Sequence, residues 1–155
     1  MLSIVLKEFL AGTLESPARS KGERVTEHLG AYLYGREFEE AKSAYLAHWR
    51  VCRCLDTFPA WVAEMIDLHA ARTPQQRQEL ALLREQLPPG KIRTFKLPSG
   101  TQAVVTAARQ ADEALDRFIP ETRWIAEALH GAVLEARREW GSLPPAPQRL
   151  PNRLR

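Results

Sequence analysis

Prolines and glycines cut this sequence into short segments, and within most of them apolar residues recur at helical spacing. Ser16-Pro17, Pro59, Thr73-Pro74, Pro88-Pro89-Gly90, Pro120 and Gly141 are the main marks. Proline fixes φ and lacks an N–H, so it opens a helix well and continues one badly. The periodic stretches between the marks predict an all-α fold, a compact bundle of about five to seven helices. A chain of 155 residues with 45% hydrophobic content can bury a core without a disulfide framework or a structural metal. The organisation expected is a single helical domain over residues 1–141 and an extended or disordered basic tail over 142–155.

In detail, Met1 to about Leu10 is a short apolar candidate, and Ser16-Pro17 opens a helix that could run to about Tyr34 despite Gly22 and Gly30. A stronger segment follows from Arg36 to about Asp56. Another begins at Asp56-Thr57-Phe58-Pro59 and carries Trp61, Val62, Met65, Ile66 and Leu68. Thr73-Pro74-Gln75-Gln76 has the form of a capping box, and its helix carries Leu80, Leu83 and Leu87. The stretch KIRTFKLPSGTQAVV alone has strand character, through Ile92, Thr94 and Phe95. It suits a small hairpin, or a loop feeding a helix capped near Ser99 or Thr101. Val104, Ala108, Ala111, Leu115 and Phe118 then form a helical seam, and the last helix carries Ile125, Ala128, Leu129, Ala132 and Ala136 as far as Trp140-Gly141.

The most chemical stretch is HWRVCRCLD, residues 48–56. At about 100° per residue, Phe38, Ala41, Tyr45, His48, Cys52 and Leu55 share one stripe. His48 and Cys52 are therefore expected in the core. Cys54 falls about 200° from Cys52 on the same wheel, so the two cysteines are expected neither to share a metal ion nor to bond to each other. Lys42, Arg50 and Arg53 fall on the polar face, where they would be a solvated surface or a phosphate-contacting stripe. No metal site and no cofactor are expected.

Charge is unevenly placed. The net charge is +3. Between Glu85 and Asp112 there are only basic charges, Lys91, Arg93, Lys96 and Arg109, and after Glu139 only Arg149, Arg153 and Arg155. Such asymmetry favours a polyanionic or acidic partner. Within 91–101 basic and apolar residues alternate, so Lys91, Arg93 and Lys96 could meet phosphates while Phe95 stacks on a base. The bland counterpart is a surface loop that tucks Ile92, Phe95 and Leu97 into the body. The acidic groups Glu37, Glu39, Glu40 and Asp112, Glu113, Asp116 read as a helix start and as an outward, solvated face. Phosphate-binding loops, the nucleophile elbow and zinc-protease or zinc-deaminase signatures do not occur. Pro144 and Pro147 give a PxxP spacing that chance supplies often.

In size, helical class and basic surface the chain is similar to the small helical subunits of CRISPR effector complexes, a similarity of architecture that no motif carries. The expected function is a non-enzymatic subunit that binds RNA or DNA backbone without sequence specificity, with other protein subunits and without a membrane or small-molecule substrate. Lys91, Arg93, Phe95, Lys96, Arg109, Lys42, Arg50 and Arg53 would carry the contact. The alternative is a protein–protein adaptor or chaperone-like module with an acidic protein partner. MLSIVLKEFLAG lacks the basic start of a signal peptide, so the expected location is the cytoplasm.

Overall fold

A computed structural model describes residues 25–155. The helix expected at Met1–Leu10 and the start of the one expected from Ser16 lie outside the described residues. The order of elements is β1 (Thr26–Tyr34), α1 (Glu37–Cys52), α2 (Phe58–Ala71), α3 (Pro74–Leu82), β2 (Gly90–Pro98), α4 (Thr101–Glu113) and α5 (Glu121–Trp140). The fold is thus mixed, with five helices and a two-stranded antiparallel sheet, and the all-α expectation is corrected. With a sheet in the domain, the similarity to small helical subunits loses its helical-class footing.

The sheet replaces two expectations. Residues 26–34 are a strand and not the end of a helix. Their side chains alternate, with Leu29, Ala31 and Leu33 buried and His28 and Tyr32 exposed, which is the period of a half-buried strand. Strand β2 is the stretch read as extended, but it forms no local hairpin. It pairs with β1 in a register running from Thr26 opposite Pro98 to Tyr34 opposite Gly90. Helices α1, α2 and α3 occupy the connection between the two strands. Phe95 and Leu97 on β2 join the inward side chains of β1.

Helix α2 is the core's centre. Trp61, Val62, Ala63, Met65, Ile66 and Leu68 are all buried, so it is apolar almost all round. Its start follows the sequence signal. Thr57 Oγ1 accepts the Ala60 N–H at 3.3 Å, and Pro59 sits in the first turn. The Thr73 capping box also forms, with Gln76 N–H to Thr73 Oγ1 at 3.1 Å and Thr73 N–H to Gln76 Oε1 at 2.9 Å. Helix α5 follows Pro120 and buries Trp124, Ile125, Ala128, Leu129, Ala132 and Ala136. Fully burying a large apolar side chain contributes about 1.5–3 kcal/mol, so Trp61, Trp124, Ile66 and Leu129 weigh heavily in this core.

Helix α4 turns differently from the expected seam. Its buried positions are Thr101, Val105, Ala108 and Asp112, whereas Ala111, Leu115 and Phe118 are exposed. The helix ends at Glu113, before the last two residues of that seam. Asp112, expected outward, is fully buried because Arg77 of α3 meets it (Nη2 to Oδ1, 2.8 Å). A long-range charge partner overrides the local apolar pattern.

The segment after Trp140 has no regular structure but lies on the body. Leu143, Leu150 and Leu154 pack against the core. The Leu154 N–H donates to the Asp56 carbonyl at 2.7 Å, and Arg153 pairs with the Asp56 carboxylate at 3.1 Å.

Candidate functional site

The eight residues proposed for nucleic-acid contact do not form one surface property. Phe95 is buried on the inward face of β2, with its ring edge-on to Phe58 at 5.9 Å between centroids, so it is no stacking platform. Arg93 lies over the Phe38 ring at 4.3 Å. Arg109 donates twice to the Ile119 carbonyl, at 3.1 and 2.9 Å. Lys42 is buried and not on a solvated face. Its Nζ donates to the carbonyls of Pro147 (3.0 Å) and Gln148 (3.4 Å) and lies 4.9 Å from the Phe38 ring. The wheel put it outside because the wheel knows nothing of the tail. Lys91, Lys96, Arg50 and Arg53 are exposed.

The HWRVCRCLD stretch divides at its middle. His48 is buried as expected, and its Nδ1 accepts the Trp61 indole N–H at 3.1 Å. Burial pushes its imidazole down to about 4. Cys52 and Cys54 overturn the expectation, since both are exposed and are bonded to each other. Helix α1 stops at Cys52, and Arg53 adopts φ 56°, which turns the chain back. A wheel drawn through Asp56 therefore misplaces Cys54 relative to Cys52, although Leu55 is buried as its stripe predicts. Arg53 itself stacks on the Trp49 ring at 3.9 Å.

A cleft of about 390 Å³ opens elsewhere, where the β1–α1 corner, the α3–β2 connection and α5 meet. That volume lies within the range of small-ligand or side-chain pockets. Leu33, Leu129 and Val133, all buried, supply apolar wall, and Leu83 and Leu87 stand at its edge. Leu83 and Leu87 are 64% and 60% exposed, and adjacent Leu82 is 79% exposed. Large apolar side chains grouped this way on a surface mark a contact site more often than they stand idle.

The polar groups of the cleft are mostly engaged. Arg84 grips Glu37 with a fork, Nε to Oε2 at 2.8 Å and Nη2 to Oε1 at 2.9 Å, and also donates to the Tyr32 carbonyl at 2.8 Å. Glu37 in turn accepts the Tyr34 N–H at 2.8 Å. Arg137 pairs with Glu40. Glu37 and Glu40 are thus paired, while Arg36 and Glu85 are exposed at the cleft's lining, whose floor offers apolar contact and shape. Burial lowers the His130 imidazole below its ordinary value, an effect that Glu37 opposes and Arg84 reinforces. The ring lines the cleft, and its Nε2 is buried with no hydrogen-bond partner among the described residues.

The sequence reading missed this cleft. Its only local signal was Leu82, Leu83 and Leu87 falling within six residues just before Pro88-Pro89. Among the described residues no group of three or more His, Cys, Asp or Glu could hold a metal ion, and no helix is long and apolar enough to cross a membrane. No protein-family model, curated protein or solved structure matches the chain.

Proposed function

We propose that this chain is a protein-interaction module that seats apolar side chains of a partner polypeptide in the cleft between α5 and the α3–β2 connection. The observation that carries the reading is the group Leu82, Leu83 and Leu87, each more than half exposed, two of them walling a cleft with an otherwise buried apolar floor. Removing such side chains from water stabilises a complex by roughly 25 cal/mol per Å² before ordering costs. With Glu37 and Glu40 held by Arg84 and Arg137, apolar shape is the main selector of the partner. The proposal keeps the cytoplasmic location expected above.

The competing proposal, contact with nucleic-acid backbone, rests on Lys91, Lys96, Arg50 and Arg53, the exposed members of the original set. One pair of measurements separates the two. Selection from a displayed library of 12-residue peptides should enrich apolar sequences. Their binding should weaken at least about tenfold, that is by 1.4 kcal/mol, in the Leu83→Glu, Leu87→Glu double variant. Binding that ignores this change would sink the adaptor reading. A gel shift that falls steeply between low and moderate salt, and that Lys91→Ala with Lys96→Ala reduces, would support the backbone reading instead.

A further inference from the structure

The turn that ends α1 carries reactive atoms that the cleft does not use. Cys52 and Cys54 are disulfide-bonded across a single residue, and Val51, Cys52, Arg53 and Cys54 are all exposed. A bond that closes so short a loop removes little chain entropy, roughly half of what a 15-residue loop would give up. Nor does it join separate elements, because Arg53 at φ 56° and the Arg53 N–H to Trp49 carbonyl bond at 2.8 Å already close the helix. Stapling is therefore a weak account of the pair. Its surroundings suit chemistry better. The Cys54 N–H points at Cys52 Sγ from 3.3 Å, Arg50 precedes the pair and Arg53 lies between its two cysteines, and residues 49–55 contain no acid.

We propose that Cys52 and Cys54 form a thiol–disulfide exchange centre acting on dithiols and disulfides of polypeptides. A thiolate of a reducing dithiol attacks Cys54 Sγ. The protein's S–S bond breaks, and its electron pair leaves on Cys52 Sγ. The Cys54 N–H stabilises that thiolate, partly offset by the negative end of the α1 dipole. The second thiol of the dithiol loses its proton to water and attacks its own sulfur in the mixed disulfide. Cys54 then leaves as a thiolate and takes up a proton. The substrate dithiol has lost two electrons and the protein's pair has gained two. Run backward, Cys54 attacks a substrate disulfide and Cys52 resolves the mixed species. Cys52 Sγ already accepts the Cys54 N–H and is the better-stabilised leaving sulfur, which is why Cys54 is the sulfur attacked.

The test begins with protein purified without reductant and alkylated in denaturant. Neither cysteine should label before reduction, and both should label after it. The oxidised protein is then mixed with reduced glutathione, quenched in acid and mapped by mass. Glutathione should be found on Cys54, with Cys52 free. In a glutathione buffer, substoichiometric wild-type protein should speed reactivation of scrambled ribonuclease about tenfold over the oxidised peptide 49–56. Cys54→Ser should abolish that gain with the circular dichroism spectrum unchanged, since both cysteines are exposed. Cysteines that label without reduction, glutathione on Cys52, or a rate equal to that of the peptide would each overturn the proposal.

Discussion

Arg77 and Asp112, 35 residues apart, form an ion pair that is almost wholly withdrawn from solvent, with side chains 2% and 0% exposed. Arg77 Nε (3.0 Å) and Nη2 (2.8 Å) share one carboxylate oxygen. The same guanidinium donates to the carbonyls of His69 (3.3 Å), Ala70 (3.2 Å) and Arg72 at the C-terminal end of α2, and of Ala108 (3.3 Å) on α4. One side chain thus satisfies the orphan carbonyls of α2 and fastens α4 to it. Asp112→Asn leaves the guanidinium buried without its counter-charge and is expected to lower stability by about 3–5 kcal/mol. Urea denaturation reads this as a lower midpoint. Replacing both residues, Arg77→Met with Asp112→Leu, should recover only part of the loss, because the α2 carbonyls stay unmet.

The buried histidines give stability an acid limit. In the unfolded chain the His48 imidazole titrates near 6.5, and in the fold burial holds it at about 4. Between those values the unfolded state binds more protons, so stability is fully present above about pH 6.5 and falls as pH drops toward 4. Over that window His48 accounts for a loss on the order of 3 kcal/mol. His69 and His130 are lowered in the same direction by burial. Denaturation midpoints measured from pH 7.5 to 4 should fall. In His48→Gln, whose amide can still accept from Trp61, the fall should be shallower without disappearing.

Lys42 binds the tail to the body. Its amine holds the Pro147 and Gln148 carbonyls, while Leu150 and Leu154 pack on the core beyond them. Lys42→Met keeps the stem's packing and removes the donor. It is expected to cost about 1–3 kcal/mol and to free the backbone around Arg149, whose side chain is already exposed, for trypsin. Limited proteolysis followed by mass measurement should show the 150–155 end released earlier than in wild type. An unchanged cleavage rate would mean that the leucines alone hold the tail.

Gly90 is required by Tyr32. A Cβ built at Gly90 would fall 2.3 Å from the ring of Tyr32, its diagonal neighbour on β1. Gly90→Ala must move the ring or the strand and is expected to cost about 1–3 kcal/mol. In a Tyr32→Ala background the same change should cost markedly less. A double-mutant cycle by thermal denaturation measures the coupling. Equal costs in both backgrounds would show that the ring does not set the constraint.

Much of the helical fold was legible because its signals are local. Thr57 with Ala60, and Thr73 with Gln76, are bonds between residues three apart, so the sequence contains both partners. The period of Ile125, Ala128, Leu129 and Ala132 likewise marks α5. Strand β1 was legible in part. Leu29, Ala31 and Leu33 alternate as a strand should, but the Ser16-Pro17 start signal favoured a helix through the same residues, and the strand's partner lies more than fifty residues away. The candidate cleft was less legible still, since its walls come from three separated stretches. Two of the expected contact residues are buried against inward partners, Phe95 against Phe58 and Lys42 against the tail carbonyls.

What the sequence by itself determined is where the chain stops and starts: the caps, the proline breaks, the extended character of 90–98 and the apolar stripe through His48. These rest on interactions within a turn or two, whose energies do not depend on the rest of the fold. Only the tertiary structure decided that β1 is a strand, that Asp112 is buried, that Lys42 points inward and that Cys52 meets Cys54. The first three need a partner from a distant segment to satisfy a strand edge, a carboxylate or an amine. The last needs a left-handed residue at Arg53, a conformation that L side chains adopt rarely and that its own side chain does not announce.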